Sequence, residues 1–303
     1  MAGSTLVSAR PAAPRRRVGP QALRVLRTPS GAVGAILLAV LIVAAFGASW
    51  ATPYDPAAQD LGATTRPPSL TPVGGHVHLL GTDQLGRDIL SRLLVGLRIS
   101  LLVALVVVPI SMLLGMTAGM VTGYRGGWVD LALMRVVDAQ LAIPTLLLMV
   151  AVVAALGSGL AQIVIVLVIT GWTTYARVVR AEVLSLRERD FVAAARAMGA
   201  SDSRILGGHM LRNLLPTILV LATLQLPVVI VLEAALSFLG LGIQPPTPSL
   251  GQMLGHSQEM VWQAWWMPTI PGVAITLLVL AFNLMGDRLR DVLDPRLRGL
   301  GHL

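Results

Sequence analysis

Residues 187–216 read RERDFVAAARAMGASDSRILGGHMLRNLLP, the longest polar, arginine-bearing segment between two hydrophobic runs. The stretch predicts two short helices with a break between them. Phe191, Val192, Ala195 and Met198 recur at helical spacing and give the first helix one apolar face, with Ala194 beside it. Gly199 fits the position just past a helix C-terminus, where a left-handed backbone costs glycine little. Ser201 or Asp202 then caps the next helix, which carries Arg204 and the apolar pair Ile205 and Leu206. Pro216 is expected in the first turn of the following hydrophobic span, where its missing N–H is no loss.

On either side of this segment the chain is strongly apolar. Of 303 residues, 55% are hydrophobic and only 13% charged, with a mean hydropathy of +0.76. Soluble domains average about 25% charged residues, so these values and the long apolar runs predict a polytopic membrane protein. All 23 basic residues are arginine. A chain without lysine has no Walker A phosphate loop and no Schiff-base nucleophile, so any ATP must be handled by another subunit. No cysteine is present, which excludes disulfides and thiolate chemistry. The net charge of +8 is read as positive loops on the cytoplasmic side, not as a nucleic-acid surface.

In chain order, residues 1–30 form a basic tail suited to anionic headgroups. Residues 31–50 are a first span, too long for a signal-peptide core and so expected to stay uncleaved. Residues 51–96 form a proline-rich outer loop ending in an interfacial helix. That helix is expected to be capped by Thr82 or Asp83, to present Leu85, Ile89 and Leu93 on one face, and to carry the i,i+4 pairs Asp83–Arg87 and Asp88–Arg92. Residues 97–287 hold five more helices, with the polar loop at 187–215 between the fourth and fifth spans. Within them Arg135 and Asp138 are expected to pair, Pro144 to kink the third span, and the fourth to end near Tyr175, Arg177 and Arg180. The fifth span is expected from Leu215, with Glu233 near its outer end; Trp262, Trp265 and Trp266 suggest an aromatic belt. Residues 288–303 are a second basic tail. His76 and His78 are read as solvated loop residues.

The polar loop resembles the EAA loop of ABC-importer permeases. Ala194, Ala195, Gly199, Leu215 and Pro216 match, while the family's leading glutamate falls at Ala193. A second stretch, Gly81, Thr82, Asp83, Gly86, Arg87, Asp88, Ser91 and Arg92, resembles the G-T-D-x-x-G-R-D-x-x-S-R segment of dipeptide and oligopeptide importer permeases. The outer loop from Ser237 to Gly251 and the terminal Asp294, Pro295 and Arg296 are similar to the same group. The resemblance implies an all-α fold of six transmembrane helices, the type I ABC-importer permease fold. It implies a coupling role for Phe191, Ala194, Ala195, Gly199, Ser201, Asp202 and Arg204. The partners it implies are a second homologous permease, two ATP-binding cassette subunits that bind ATP and magnesium, an extracytoplasmic substrate-binding protein and a peptide substrate. No cofactor or metal is expected in this chain.

Six spans put both termini on one side. Only Arg66, Arg87, Arg92 and Arg98 fall on the other, so the tails and the 187–215 loop are expected in the bacterial cytoplasm. Two other readings remain open at this point: a related importer for glutathione or nickel chelates, and a stand-alone secondary transporter relying on Glu233, Asp138 or Arg135.

Overall fold

The computed structural model describes residues 28–72 and 76–293. The arginine-rich N-terminal tail and the Asp294–Pro295–Arg296 match lie outside them. Among the described residues the regular structure is helical. α1 (Pro29–Phe46) starts at Thr28, whose hydroxyl accepts from the Gly31 N–H, and one further turn, α2 (Ala48–Ala51), follows. Then come α3 (Ile89–Arg125), α4 (Gly127–Leu141), α5 (Thr145–Leu156), α6 (Leu160–Arg187), the short α7 (Asp190–Ala197) and the single turn α8 (Asp202–Arg204). A π-helical stretch, Ile205–Met210, leads into α9 (Leu211–Phe238); α10 (Leu250–Ser257) and α11 (Trp266–Leu293) complete the bundle.

Among the described residues, five helical stretches are long and apolar enough to cross a membrane: α1, α3, α6, the run Asp202–Phe238 and α11. α4 and α5 meet at a 95° bend and count as a sixth if taken together. The packing of α3 on α6 supports that count. A Cβ on Gly115 would meet Trp172 O at 2.3 Å, one on Gly119 would meet Ala176 O at 2.6 Å, and one on Gly123 would meet the Val183 side chain at 2.8 Å. Both series of numbers rise together, so α3 and α6 run parallel, and residues 126–159 must bring the chain back to the end from which α3 started. α4 makes the return antiparallel to α6: Asp130 meets Arg180 and Asp138 meets Arg177. Small residues at every fourth position let two backbones approach this closely.

Several expectations are corrected. The kink at Pro144 is a full break over 142–144. The interfacial helix does not begin at Thr82 or Asp83. Its N-cap is Asp88, whose carboxylate accepts from Ser91 N–H at 2.8 Å, and it continues without interruption into α3. The fourth span runs on to Arg187, because Val179, Val183 and Leu186 are buried in a second apolar cluster at the end near α7. Asp138 pairs with Arg177 across helices at 2.7 Å, not with Arg135 on its own helix. Pro216 lies inside α9, not in a first turn, since the helix before it is already wound. The buried residues Ile205, Met210, Leu214 and Ile218 explain that winding. The step of five from Ile205 to Met210 keeps both on one face only if that turn is π-helical.

Candidate functional site

α7 stands at the end of the bundle where α3 and α6 finish. Val192 and Ala195 are buried against Tyr124, Val183, Leu186 and Ile205, with Phe191 half-buried beside them. The opposite face is exposed: Ala193, Ala194, Arg196 and Ala197. Met198, expected on the apolar face, is instead 82% exposed. The reason is that α7 ends at Ala197 and the chain turns through Gly199, at φ +77°, before Met198 can come round to the buried side. A Cβ at Gly199 would meet nothing within 4 Å, so glycine serves the backbone there, not packing.

Ser201 is the N-cap residue of α8, but its hydroxyl lies 3.2 Å from that of Ser203 and makes no capping bond. Asp202 is tied elsewhere: the Tyr124 hydroxyl, at the last turn of α3, donates to its carboxylate at 2.6 Å. The Arg196 guanidinium sits 5.3 Å from the centre of the Tyr124 ring, a cation–π distance. Arg187 donates to the Gly123 carbonyl at 3.3 Å, and Arg180 holds Asp130 through two bonds of 2.5 and 2.6 Å. Arg204 is exposed. The structure thus brings Phe191, Ala195 and Asp202 onto the body of the bundle and leaves Ala194, Gly199, Ser201 and Arg204 on its surface. A short helix held this way by α3 and α6 can pass a displacement into both.

At the other end, the Gly81–Arg92 stretch is a buried knot. The Thr82 hydroxyl donates to Ala63 O at 2.5 Å and accepts from Arg66 N–H, while Trp266 Nε1 reaches Thr82 O at 3.5 Å. Asp83 holds Arg87 at 2.6 Å and approaches Arg92 at 3.6 Å. The expected Asp88–Arg92 pair is replaced by Asp88–His78 at 3.0 Å, so His78 is a partnered residue, its ring 4.9 Å from that of Tyr54 and tilted by 40° to it. Gly86, at φ +72°, would set a Cβ 1.8 Å from Asp60 O. Trp266 is 7% exposed and belongs to this outer core, whereas Trp262 and Trp265 are open to the surroundings. Burial, together with the nearby Arg87 and Arg92 charges, pushes the His256 imidazole below its ordinary value. Glu233 is fully buried, accepting from Ser100 at 2.7 Å and Ser237 at 2.9 Å.

Residues 115–299 match the family described as the binding-protein-dependent transport system inner membrane component. The chain belongs to this family. It is 45% identical over 269 residues to the di/tripeptide transport system permease protein DppC of Pseudomonas aeruginosa, covering 88% of this chain and 89% of that one. It is 44% identical over 272 residues to the dipeptide transport system permease protein DppC of Escherichia coli, covering 90% and 91%. Its fold is similar to that of a chain in inward-facing structures of the MetNI methionine ABC transporter, with a TM-score of 0.54, 23% identity, and coverage of 66% of this chain and 95% of that one. The protein is therefore a multi-pass inner-membrane permease component of the ABC-importer type, and ATP hydrolysis lies in partner subunits. Tyr124 was not among the residues expected at the site. Its sequence signal, an aromatic residue closing a run of glycines at 115, 119 and 123, becomes informative only once α3 is known to end against α8.

Proposed function

We propose that this chain is one of two transmembrane subunits of an ATP-driven importer of dipeptides and oligopeptides. The observation that carries the reading is α7, a small-faced helix projecting from the bundle and held by Tyr124 and the ends of α3 and α6. Its exposed alanines and Met198 suit a cleft in a cytoplasmic ATPase. The relatives named for dipeptide transport, similar over nearly the whole chain, support the substrate class. The positive-inside rule supports placing both termini and α7 in the cytoplasm.

In this reading ATP and magnesium bind to two partner ATPases. A second, homologous permease completes the pathway, and an extracytoplasmic binding protein delivers peptide to the outer face. Ala194, Gly199, Ser201 and Arg204 face the ATPase; Phe191, Ala195 and Asp202 transmit its movement. Nucleotide shifts the bundle only by binding one conformation more tightly than the other.

The test is reconstitution of the complex in liposomes with its binding protein and labelled alanyl-alanine. The expected result is uptake that requires ATP inside the ATPase compartment. Uptake that survives ATP depletion and collapses with an ion gradient overturns the reading in favour of a secondary transporter. Transport of glutathione or a nickel chelate with no transport of peptide replaces the substrate.

A further inference from the structure

The Gly81–Arg92 stretch holds more positive charge than its own carboxylates balance. The Arg92 side chain is only 2% exposed, and the two acids of the stretch, Asp83 and Asp88, are already committed. Asp83 Oδ1 accepts from the Leu85 and Arg87 N–H groups, both at 2.9 Å, and its Oδ2 accepts from Arg87 Nε at 2.6 Å. Asp88 accepts from the Ser91 N–H and hydroxyl and meets His78 Nδ1 at 3.0 Å. Arg92 is left 3.6 Å from Asp83, beyond hydrogen-bonding distance, with one bond of its own, from Nη1 to Pro56 O at 3.2 Å. One carboxylate thus stands against two guanidinium groups, and a buried charge without its own counter-ion is costly.

A small pocket lies against this pair. Asp83, Gln84 and Arg87 of the outer loop, Arg92 of α3, His256 of α10 and Met267 of α11 meet around a space of about 20 Å³. Among the described residues, the sealed side-chain polar atoms without a partner are the Ser111 and Tyr175 hydroxyls. Arg92 Nη2 makes no hydrogen bond and is not one of them, so it opens onto space, and the pocket is the space its residue lines. The neighbouring donors are spent: Gln84 donates to the His256 carbonyl at 3.1 Å and Ser257 to the Met253 carbonyl at 2.7 Å. His256 adds no third cation, because burial and the Arg87 and Arg92 charges hold its imidazole below its ordinary value. Ile89, Met253 and Met267 complete the lining, and apolar walls strengthen the attraction between charges.

Size decides the ligand. A site holds one water from about 10–15 Å³ upward, so a space of about 20 Å³ takes a single occupant of that size. Water leaves the charge uncompensated; a halide ion balances it. We propose that this pocket binds a chloride-sized monovalent anion between the Arg87 and Arg92 guanidinium groups. The ion gives Arg92 the counter-charge that Asp83 does not supply. It also ties the outer loop, the start of α3, α10 and the entry to α11 together at one point. The assignment is independent of which substrate the complex carries.

The test is thermal melting of the purified complex in chloride, bromide and gluconate salts of equal ionic strength. Chloride and bromide are expected to raise the melting temperature by a few degrees over gluconate, which is too large to enter, and the rise is expected to saturate. His256→Glu places a carboxylate beside the two guanidinium groups and keeps the carbonyl that Gln84 holds. This variant is expected to melt at one temperature in all three salts. Arg87→Gln frees Asp83 for Arg92 and is expected to show the same loss, which keeps the test open if the glutamate variant is not recovered. Chlorine NMR gives a direct readout: the wild-type complex is expected to broaden the chloride line several-fold more than either variant, and bromide to reverse the broadening. A wild-type complex that melts alike in chloride and gluconate holds water in the pocket, which overturns the assignment. Equal chloride dependence of wild type and variants places the anion elsewhere and overturns it as well.

Discussion

The Tyr124 hydroxyl and the Asp202 carboxylate, 78 positions apart in the chain, are 2.6 Å apart in space. One residue ends the long helix α3; the other begins the turn after α7. A hydrogen bond to an ionised acceptor contributes about 1.5–3 kcal/mol, enough to keep α3 and the α7–α8 segment in register. Tyr124→Phe removes that bond and keeps the ring under Arg196. The expected outcome is a normally assembled complex whose peptide uptake per ATP hydrolysed falls several-fold. Unchanged stoichiometry in proteoliposomes contradicts the role given to this pair.

Gly199 separates two explanations of one position. Its φ of +77° disfavours most side chains, by about 1–2 kcal/mol, while a Cβ there has open space. Gly199→Asn, which tolerates the left-handed region, is expected to retain most uptake. Gly199→Val is expected to lose most of it with the complex still assembled. Equal behaviour of the two variants, measured as uptake, removes backbone geometry as the cause.

The glycine ridge on α3 makes a stability prediction. A Cβ on Gly119 would lie 2.6 Å from Ala176 O, and overpacking of this kind typically costs about 1–3 kcal/mol. Gly119→Ala is expected to lower the melting temperature of the purified complex by several degrees, and Gly119→Leu to abolish recovery. An unshifted melting curve for both means that α3 and α6 are further apart than described.

Glu233 gives a prediction of no effect. It is fully buried and accepts from Ser100 and Ser237. Glu233→Gln keeps an acceptor oxygen for one serine and is expected to change uptake by less than about twofold. Loss of uptake together with loss of sensitivity to an ion gradient supports a proton- or ion-coupled transporter instead.

Sidedness is checked at Ser203, which is exposed next to Asp202. In a chain without native cysteine, Ser203→Cys is expected to react with a membrane-impermeant maleimide only after the cells are permeabilised. Labelling in intact cells places the segment outside and removes any ATPase from its reach.

The helical class was legible from hydropathy, and the break at Gly199 from one glycine after a short amphipathic run. What stayed hidden depends on partners distant in sequence. Asp138 had a plausible neighbour at Arg135, but its nearest cation across space is Arg177. Asp83 looked like the start of a helix because its acid-to-base pair with Arg87 at i,i+4 fits one. The chain instead folds Asp83 into a turn, since Thr82 bonds back to Ala63 and Arg66, and the helix starts only at Asp88. The winding that swallows Pro216 was invisible because a step of five between buried residues matches no ordinary helix period.

The glycines of α3 add no side chains of their own to the seam with α6 over its last three turns, so Tyr175, Val179 and Val183 seat directly on the α3 backbone. Two rods seated this closely resist sliding past each other, and the expectation is that they travel as a single strut from the α7 end to mid-membrane. Whatever bends as the pathway opens must therefore be sought elsewhere: in the snapped return helix, or in the proline-bearing run that follows the π turn.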